Sequence, residues 1–312
     1  MEQAGDAHVP VLLDAVLEAL DVHGDGQYLD GTFGRGGHAA AILERLDEAG
    51  RLLMIDRDPE AAAAAKERFG EDPRVRIEQG NFADMQAIAV QACLDGGFDG
   101  ILLDLGVSSP QLDDPARGFS FMADGPLDMR MDTSRGQTAA DWVNSASETE
   151  IARVIRRYGE ERFARRVSRA IVAARTEARI DRTGQLAEII ANAVPRREPR
   201  KHPATRAFQA IRIHINRELD AVALGLDAAL GLLAPGGRLC VISFHSLEDR
   251  MVKRFIRRHS QEDEAWRGLP TMPDAARPTL RPLGKARRAE PAEVRANPRS
   301  RSAVLRAAER LH

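Results

Sequence analysis

Four short apolar runs, each closing on a polar residue, constrain this chain more than any other feature. They are QYLD ending at Asp30, RLLMID at Asp56, VRIEQGN at Asn81 and GILLD at Asp104, and their ends are spaced 26, 25 and 23 residues apart. Between the first pairs lie GHAAAILERLDEAG and PEAAAAAKERFG, Ala-, Leu- and Glu-rich segments with helical periodicity. Strand and helix alternating at this spacing predict βαβ units, and hence an α/β fold with a parallel, doubly wound sheet. In such a sheet a ligand lies beyond the carboxyl ends of the strands, so the four polar ends are expected to converge on one crevice. The next comparable strand is RLCVISFH, residues 238–245, introduced by the turn APGG at 234–237.

The gap from Asp104 to that strand is far longer than the earlier spacings. It opens with a Gly/Pro/Ser-containing loop, SSPQLDDPARGFSFMADGPLDMRMD, and continues as helix after helix. The reading is a core over residues 1–134, an inserted helical domain over 135–213, and the rest of the core over 214–312. Thr138 with Asp141 and Ser147 with Glu150 match capping boxes that start helices. Pro195, Pro199 and Pro203 interrupt the pattern before a last helix at about 205–233. Its apolar stripe carries Phe208, Ile211, Ile215 and Leu219, and its other side carries Arg206, Gln209, Arg212, Asn216 and Arg217.

Composition excludes several classes. With 43% hydrophobic and 29% charged residues the chain is an ordinary folded protein rather than a disordered one. No apolar run reaches the roughly 18 residues of a membrane span, and the acidic N-terminus is unlike a signal peptide, so the expected location is the cytoplasm. Cys93 and Cys240 sit in apolar stretches and read as two reduced core thiols. No metal is expected, because the eight histidines form no H-x-x-H, H-E-x-x-H or Cys/His cluster. The net charge of −2 hides an asymmetry: residues 250–312 hold 16 Lys and Arg against seven Asp and Glu, a net of +9. That basic end is a candidate phosphate-facing surface.

After the first strand comes Asp30-Gly31-Thr32-Phe33-Gly34-Arg35-Gly36-Gly37-His38-Ala39. Small residues let the backbone turn tightly and approach a ligand, and the following helix start presents free N–H groups. Read from Gly34 the segment fits G-x-G-x-x-A, with Asp56 placed 22 residues later as an acceptor for ribose hydroxyls. The turn alone fits a dinucleotide or S-adenosylmethionine equally. The acid at Asp30 favours the second, since a carboxylate ahead of the glycines repels a pyrophosphate but suits a cationic methionyl end. Phe82 and Asn81, at the third strand end, offer an apolar contact and an acceptor for adenine. Phe82 reads also as core, and Asp84 as a helix N-cap.

At the fourth strand end, Asp104-Leu105-Gly106-Val107-Ser108-Ser109-Pro110-Gln111 supplies acceptors for an amine that must lose a proton during methylation. The candidates are Asp104, the Ser109 hydroxyl and the carbonyls near Pro110; Ser-Ser-Pro is also ordinary turn chemistry. His245, in SFHSLED, ends a strand too, where a lone histidine is more often structural than catalytic.

These segments together resemble a known family, the ribosomal RNA small subunit methyltransferase H (MraW) family of 16S rRNA cytosine-N4 methyltransferases. The resemblance spans nearly the whole chain: HVPVLLDAV, YLDGTFGRGGH, MIDRDP, DGILLDLGVSSPQLDDPARGFSF, DGPLDMRMD, YGEERFARRVSRAI, HPATRAFQAIRIHIN, LAPGGRL, ISFHSLEDR and NPRSRSAVLRAAER. It implies a Rossmann-like methyltransferase core interrupted by a helical substrate-recognition domain. The implied cofactor is S-adenosyl-L-methionine, leaving as S-adenosyl-L-homocysteine. The implied partner is small-subunit RNA in an assembled or nearly assembled particle, with the target a cytidine of the decoding region, and the resemblance extends to a homodimer. By position, the cofactor contacts become Gly36, Gly37, His38, Asp56, Phe82, Asp104 and Gln111. His38 and Gln111 come from the resemblance alone; their own chemistry suits a helix start and an exposed loop. The usual amino-methyltransferase motif, with two prolines and an aromatic residue, is absent around Ser109-Pro110. Two other readings fit parts of the sequence: a nicotinamide-dependent dehydrogenase on the same Gly-rich turn, and an RNA-binding protein that keeps the fold without the chemistry.

Overall fold

The computed structural model describes residues 10–94, 97–195, 202–262, 266, 273 and 276–312. Pro199 and the first nine residues lie outside the described residues. The chain divides into two compact units, residues 1–106 with 220–312, and residues 107–219.

The first unit is built on one sheet. Strands β1 (Gln27–Asp30), β2 (Arg51–Asp56), β3 (Val75–Gln79), β4 (Phe98–Asp104) and β5 (Leu233–Ser243) run parallel. β6 (Leu280–Pro282), β7 (Arg287–Arg288) and β8 (Val304–Arg310) add an antiparallel edge, giving the order β3-β2-β1-β4-β5-β8-β6, with β7 also on β8. The sequence reading held no strand in that basic end. In β8 the buried positions are Val304, Leu305 and Ala308, interleaved with Arg and Glu, so the apolar signal of a strand is weak there.

The helices before the insertion are α1 (Leu13–Leu20), α2 (Gly37–Leu43), α3 (Pro59–Phe69) and α4 (Met85–Gln91). The insertion holds α5 (Ser109–Asp113), α6 (Ala139–Ser145), α7 (Glu148–Gly159), α8 (Ala164–Glu177), α9 (Thr183–Ala193) and α10 (Thr205–Asn216). Then follow α11 (Glu218–Leu232), α12 (Ser246–His259) and α13 (Pro291–Ala296). Among the described residues no helix is long and apolar enough to cross a membrane.

Side chains alternate across the strands, so both faces of the sheet are buried, which is why its inner strands read as continuous apolar runs. Tyr28, Leu52, Met54, Leu102, Cys240 and Ile242 pack with α1, α2 and α3. Leu29, Leu53, Ile55, Ile101, Leu103 and Val241 pack with α4, α11 and α12. The sheet is thus doubly wound.

Three expectations need correction here. Cys93 is not a core thiol: it is exposed, at φ 57° just beyond α4, whereas Cys240 is buried in β5. APGG does not precede the fifth strand but bulges out of it. Leu233 already pairs with Phe98, Arg238 pairs with Gly100, and the residues between turn outward with Gly236 at φ 86°. The single helix at 205–233 is two, because Arg217 takes a left-handed φ of 50° and ends α10.

The second unit is helical. Thr138 Oγ1 accepts the Asp141 N–H and Ser147 Oγ accepts the Glu150 N–H, at 3.0 and 3.2 Å, so α6 and α7 start where the caps were read. Its boundaries fall at 107 and 219 rather than at 135 and 213. The loop over 115–131 belongs to this unit because its backbone is tied there: Leu127 N–H to Asp181 O, Thr183 N–H to Gly125 O and Ala139 N–H to Asp128 O. Leu127 and Met129 sit in the helical core. Asn216, read as part of a polar side, is 4% exposed and clamps that loop, accepting from Met131 N–H and donating to Met129 O at 2.8 and 2.7 Å.

Candidate cofactor site at the strand ends

The Gly-rich turn is laced to two strand ends. Gly31 N–H reaches Leu102 O and Phe33 N–H reaches Ile55 O, so the turn lies over β4 on one side and β2 on the other. Thr32 donates its N–H to Asp30 Oδ1 at 3.0 Å, and Thr32 Oγ1 accepts the Asp104 N–H at 2.6 Å. Gly36 has φ 71°, and a Cβ there would come within 2.5 Å of the Phe33 ring. That position therefore requires glycine on two counts. Gly37 begins α2 and rests against Pro10.

Asp56 is held as a two-pronged acceptor. Oδ2 takes the Gly34 N–H at 2.8 Å and Oδ1 takes the Asp58 N–H at 2.9 Å. A carboxylate has about four lone-pair sites, so each oxygen keeps one for a further donor. Burial pushes its carboxyl up to about 6, which leaves it ionised at neutral pH. Asp30, by contrast, is 1% exposed, and burial pushes its carboxyl up to about 7. It lies under the turn, where its Oδ1 accepts the Thr32 N–H, so the partner the structure gives it is the turn itself.

Asp104 and His38 face each other. His38 is buried, and its Nε2 donates to Val11 O at 3.0 Å, which leaves the Nδ1 lone pair 3.7 Å from Asp104 Oδ2. Burial lowers the imidazole to about 4, so it is neutral. Burial first, then the charges of Asp30 and Glu248, hold the Asp104 carboxyl well above the usual carboxylate range. Its Oδ1 is buried with no hydrogen-bond partner, although the side chain as a whole is partly open. An unpaired buried acceptor is costly unless a donor arrives, and this one stands at the strand end beside the turn.

Phe82 begins a short 3₁₀ turn capped by Asn81, whose Oδ1 accepts the Ala83 N–H at 3.0 Å. Asp84 occupies the N-cap position of α4 without a side-chain bond. The Phe82 ring is half-buried, packs on the core of the second face, and lies against α11 at Gly225, where a Cβ would sit 2.5 Å from it.

Ser109, Pro110 and Gln111 form the first turn of α5, in the helical unit. Gln111 is not an exposed loop residue: it is 4% exposed, and its Oε1 accepts the Ser108 N–H at 3.0 Å as half of a capping box. His245 likewise caps a helix. Its Nδ1 accepts the Glu248 N–H, while Glu248 Oε2 accepts the N–H groups of Phe244 and His245. The first unit thus gathers Gly36, Gly37, His38, Asp56, Phe82 and Asp104 around the ends of β1 to β4. Thr32 and Gly225 were missed. A glycine inside a helical pattern is a signal of close approach and marked Gly225; nothing distinguished Thr32 from a turn residue.

The sheet order differs from the all-parallel dinucleotide arrangement 3-2-1-4-5-6 in its antiparallel strand between β5 and β6. With the Gly-rich turn and the acids at the ends of β1, β2 and β4, it defines a Rossmann-like domain of the methyltransferase type. The sequence profile of the MraW methylase family matches residues 5–311. The chain belongs to that family. A protein of Thioalkalivibrio sulfidiphilus (strain HL-EbGR7) named ribosomal RNA small subunit methyltransferase H is 60% identical over 98% of both chains. One of the same name from Xanthomonas axonopodis pv. citri (strain 306) is 57% identical over 100% of this chain and 90% of its own. A solved rRNA methylase from Streptococcus thermophilus aligns over 98% of this chain and 99% of its own, at 9% identity and a TM-score of 0.43.

Proposed function

We propose that this chain transfers the methyl group of S-adenosyl-L-methionine to N4 of a cytidine in the decoding region of 16S ribosomal RNA. The observation that carries the reading is full-length membership of the methylase family, with relatives at 57–60% identity named for small-subunit ribosomal RNA. The site fits the cofactor. Asp56 keeps a lone pair on each oxygen for the ribose hydroxyls, the partly open Asp104 carboxyl is a further acceptor beside the turn, and Phe82 offers a ring to adenine. Gly36 and Gly37 let the turn approach closely, and the buried His38 packs behind it with its Nε2 on Val11 O.

Bound there, the cofactor supplies a methyl carbon already activated by its sulfonium. What the chain adds is alignment and a proton acceptor. The target amine becomes cationic as its new bond to carbon forms, and it must lose a proton. Asp104, whose carboxyl burial and the neighbouring acids hold above the usual carboxylate range, stands at the strand end as the candidate acceptor for that proton. The Ser109 hydroxyl and the carbonyls around Pro110 are further acceptors for the amine. The partner is the RNA of the small subunit in a late-assembly particle, acted on in the cytoplasm.

Labelled S-adenosylmethionine incubated with small subunits from cells lacking this protein, followed by nucleoside mass spectrometry, tests the reading. Label recovered as N4-methylcytidine is the expected result. Label in another nucleoside would change the target atom. No transfer, with tight RNA binding, would favour the binding-protein reading.

A further inference from the structure

The helical unit carries a charged surface separate from the basic stretch at residues 250–312. Residues 151–177 hold eight arginines, no lysine and three acids. Arg153, Arg156 and Arg157 recur at three- and four-residue spacing on α7, and all three are exposed. Arg162 in the connecting turn and Arg165, Arg166 and Arg169 on α8 repeat the pattern, all exposed. On the opposite sides, Ile151, Val154 and Ile155 of α7 and Val167 and Ile171 of α8 meet in the helical core. Burial of those stripes fixes the arginines outward, and the two consecutive helices pack on each other, so two arginine stripes share one structural block.

Elsewhere in this unit several arginines are matched with acids at close range. Arg130 is bound by Asp128, Arg135 by Asp132, Arg182 by Asp124, and Arg179 by both Asp141 and Asp181, at 2.5–2.8 Å. On the α7–α8 block Arg169 approaches Glu148 only to 3.8 Å. The acids of the block stand at its ends: Glu148 and Glu150 open α7, Glu160 caps it and Glu177 closes α8. Glu161 is buried and turned inward, accepting the Phe163 N–H. Like charges three and four residues apart destabilise a helix, so this arrangement acts against the unit's own stability. The use of arginine alone also has a chemical meaning: its planar fork binds phosphate oxygens in pairs, which an ammonium does not.

We propose that the exposed arginine stripes of α7 and α8 form a phosphate-binding face for the RNA substrate. The inference rests on the RNA methyltransferase reading and adds to it a surface outside the strand-end site.

The test compares three forms of the full chain: Arg156→Gln with Arg162→Gln and Arg166→Gln; the same three positions changed to Lys; and Arg179→Gln with Arg182→Gln, arginines already held by acids. Filter binding to 16S RNA across salt concentrations is the readout, with S-adenosylhomocysteine affinity by calorimetry as the check that the strand-end site is intact. The triple Gln form should bind on the order of tenfold or more weaker at low salt, and its log–log salt slope should shrink by roughly two, since each lost phosphate contact removes about 0.7–0.9. The Lys form should recover the slope but not all the affinity, and the Arg179/Arg182 form should match the parent. Equal affinity and slope in parent and triple Gln form would overturn the arginine face and leave the methyltransferase reading standing. A parent that binds no RNA and transfers no methyl group would overturn both.

Discussion

Asp56 and Asp30 show how one residue type at equivalent strand ends takes different duties. Both end parallel strands, yet Asp56 keeps lone pairs for a ligand while Asp30 is sealed under the turn. Replacing Asp56 with Ala removes two charged acceptors, each contributing about 1.5–3 kcal/mol. Cofactor affinity measured by calorimetry is expected to fall by about a hundredfold or more, and an unchanged affinity would sink the ribose assignment. In the parent, affinity should also fall as pH drops through about 6, where the Asp56 carboxyl takes up its proton. Asp30 predicts the opposite kind of effect, on stability. Burial pushes its carboxyl up to about 7, against about 4 for a solvated aspartate, so the unfolded chain loses that proton first and stability contributed at this site declines as pH rises from about 4 to 7. Asp30→Asn keeps the acceptor for Thr32 and removes the buried charge. It should stabilise the chain by roughly 2–4 kcal/mol at pH 8 and by little at pH 4; denaturant unfolding at the two pH values measures the difference.

At the scale of elements, the long loop before α6 explains why the helical unit begins at residue 107. A loop of this length needs its backbone groups satisfied, and Asn216 at the end of α10 supplies three bonds: to Met131 N–H, Met129 O and Arg212 O. Asn216→Ala would strand a buried N–H and a buried carbonyl, at about 1–3 kcal/mol each. The expected outcome is a lower denaturation midpoint with loss of protection at Met131 in hydrogen exchange; retention of that protection would show that the clamp is dispensable. Gly225 ties another element to the site. Alanine there favours the α11 helix by about 1 kcal/mol yet displaces the Phe82 ring. Cofactor affinity should therefore drop while overall stability changes little.

For the whole molecule, a net charge of −2 conceals a chain whose last 63 residues carry +9. Lys253, Arg254, Arg257 and Arg258 are exposed on α12, opposite Val252 and Ile256 in the core. Reversing Arg254 and Arg258 to Glu should weaken RNA binding most at low salt, because displaced counterions drive such contacts. A loss independent of salt would mean that these side chains do not meet phosphate.

Where strand and helix alternate at regular spacing, as in residues 27–104, the linear order already contains the fold. The runs of β1, β2 and β4 are buried on both faces, so their apolar pattern is written in consecutive residues, and each strand-end acid follows from where the run stops. The caps at Thr138 and Ser147 were legible for the same reason: the interaction closes within four residues. What depended on distant partners was not. β8 is a strand because β5 and β6 flank it, not because its own residues favour one. Cys93 is exposed, Gln111 buried and Asn216 a clamp because of what the folded chain brings beside them, and the break at Arg217 came from a backbone angle that no local pattern announced. The sequence by itself determined the parallel part of the sheet and the row of acids at its strand ends. Only the tertiary structure decided which of those acids stay open to a ligand, because burial is set by the neighbours that fold against a residue rather than by its own chemistry.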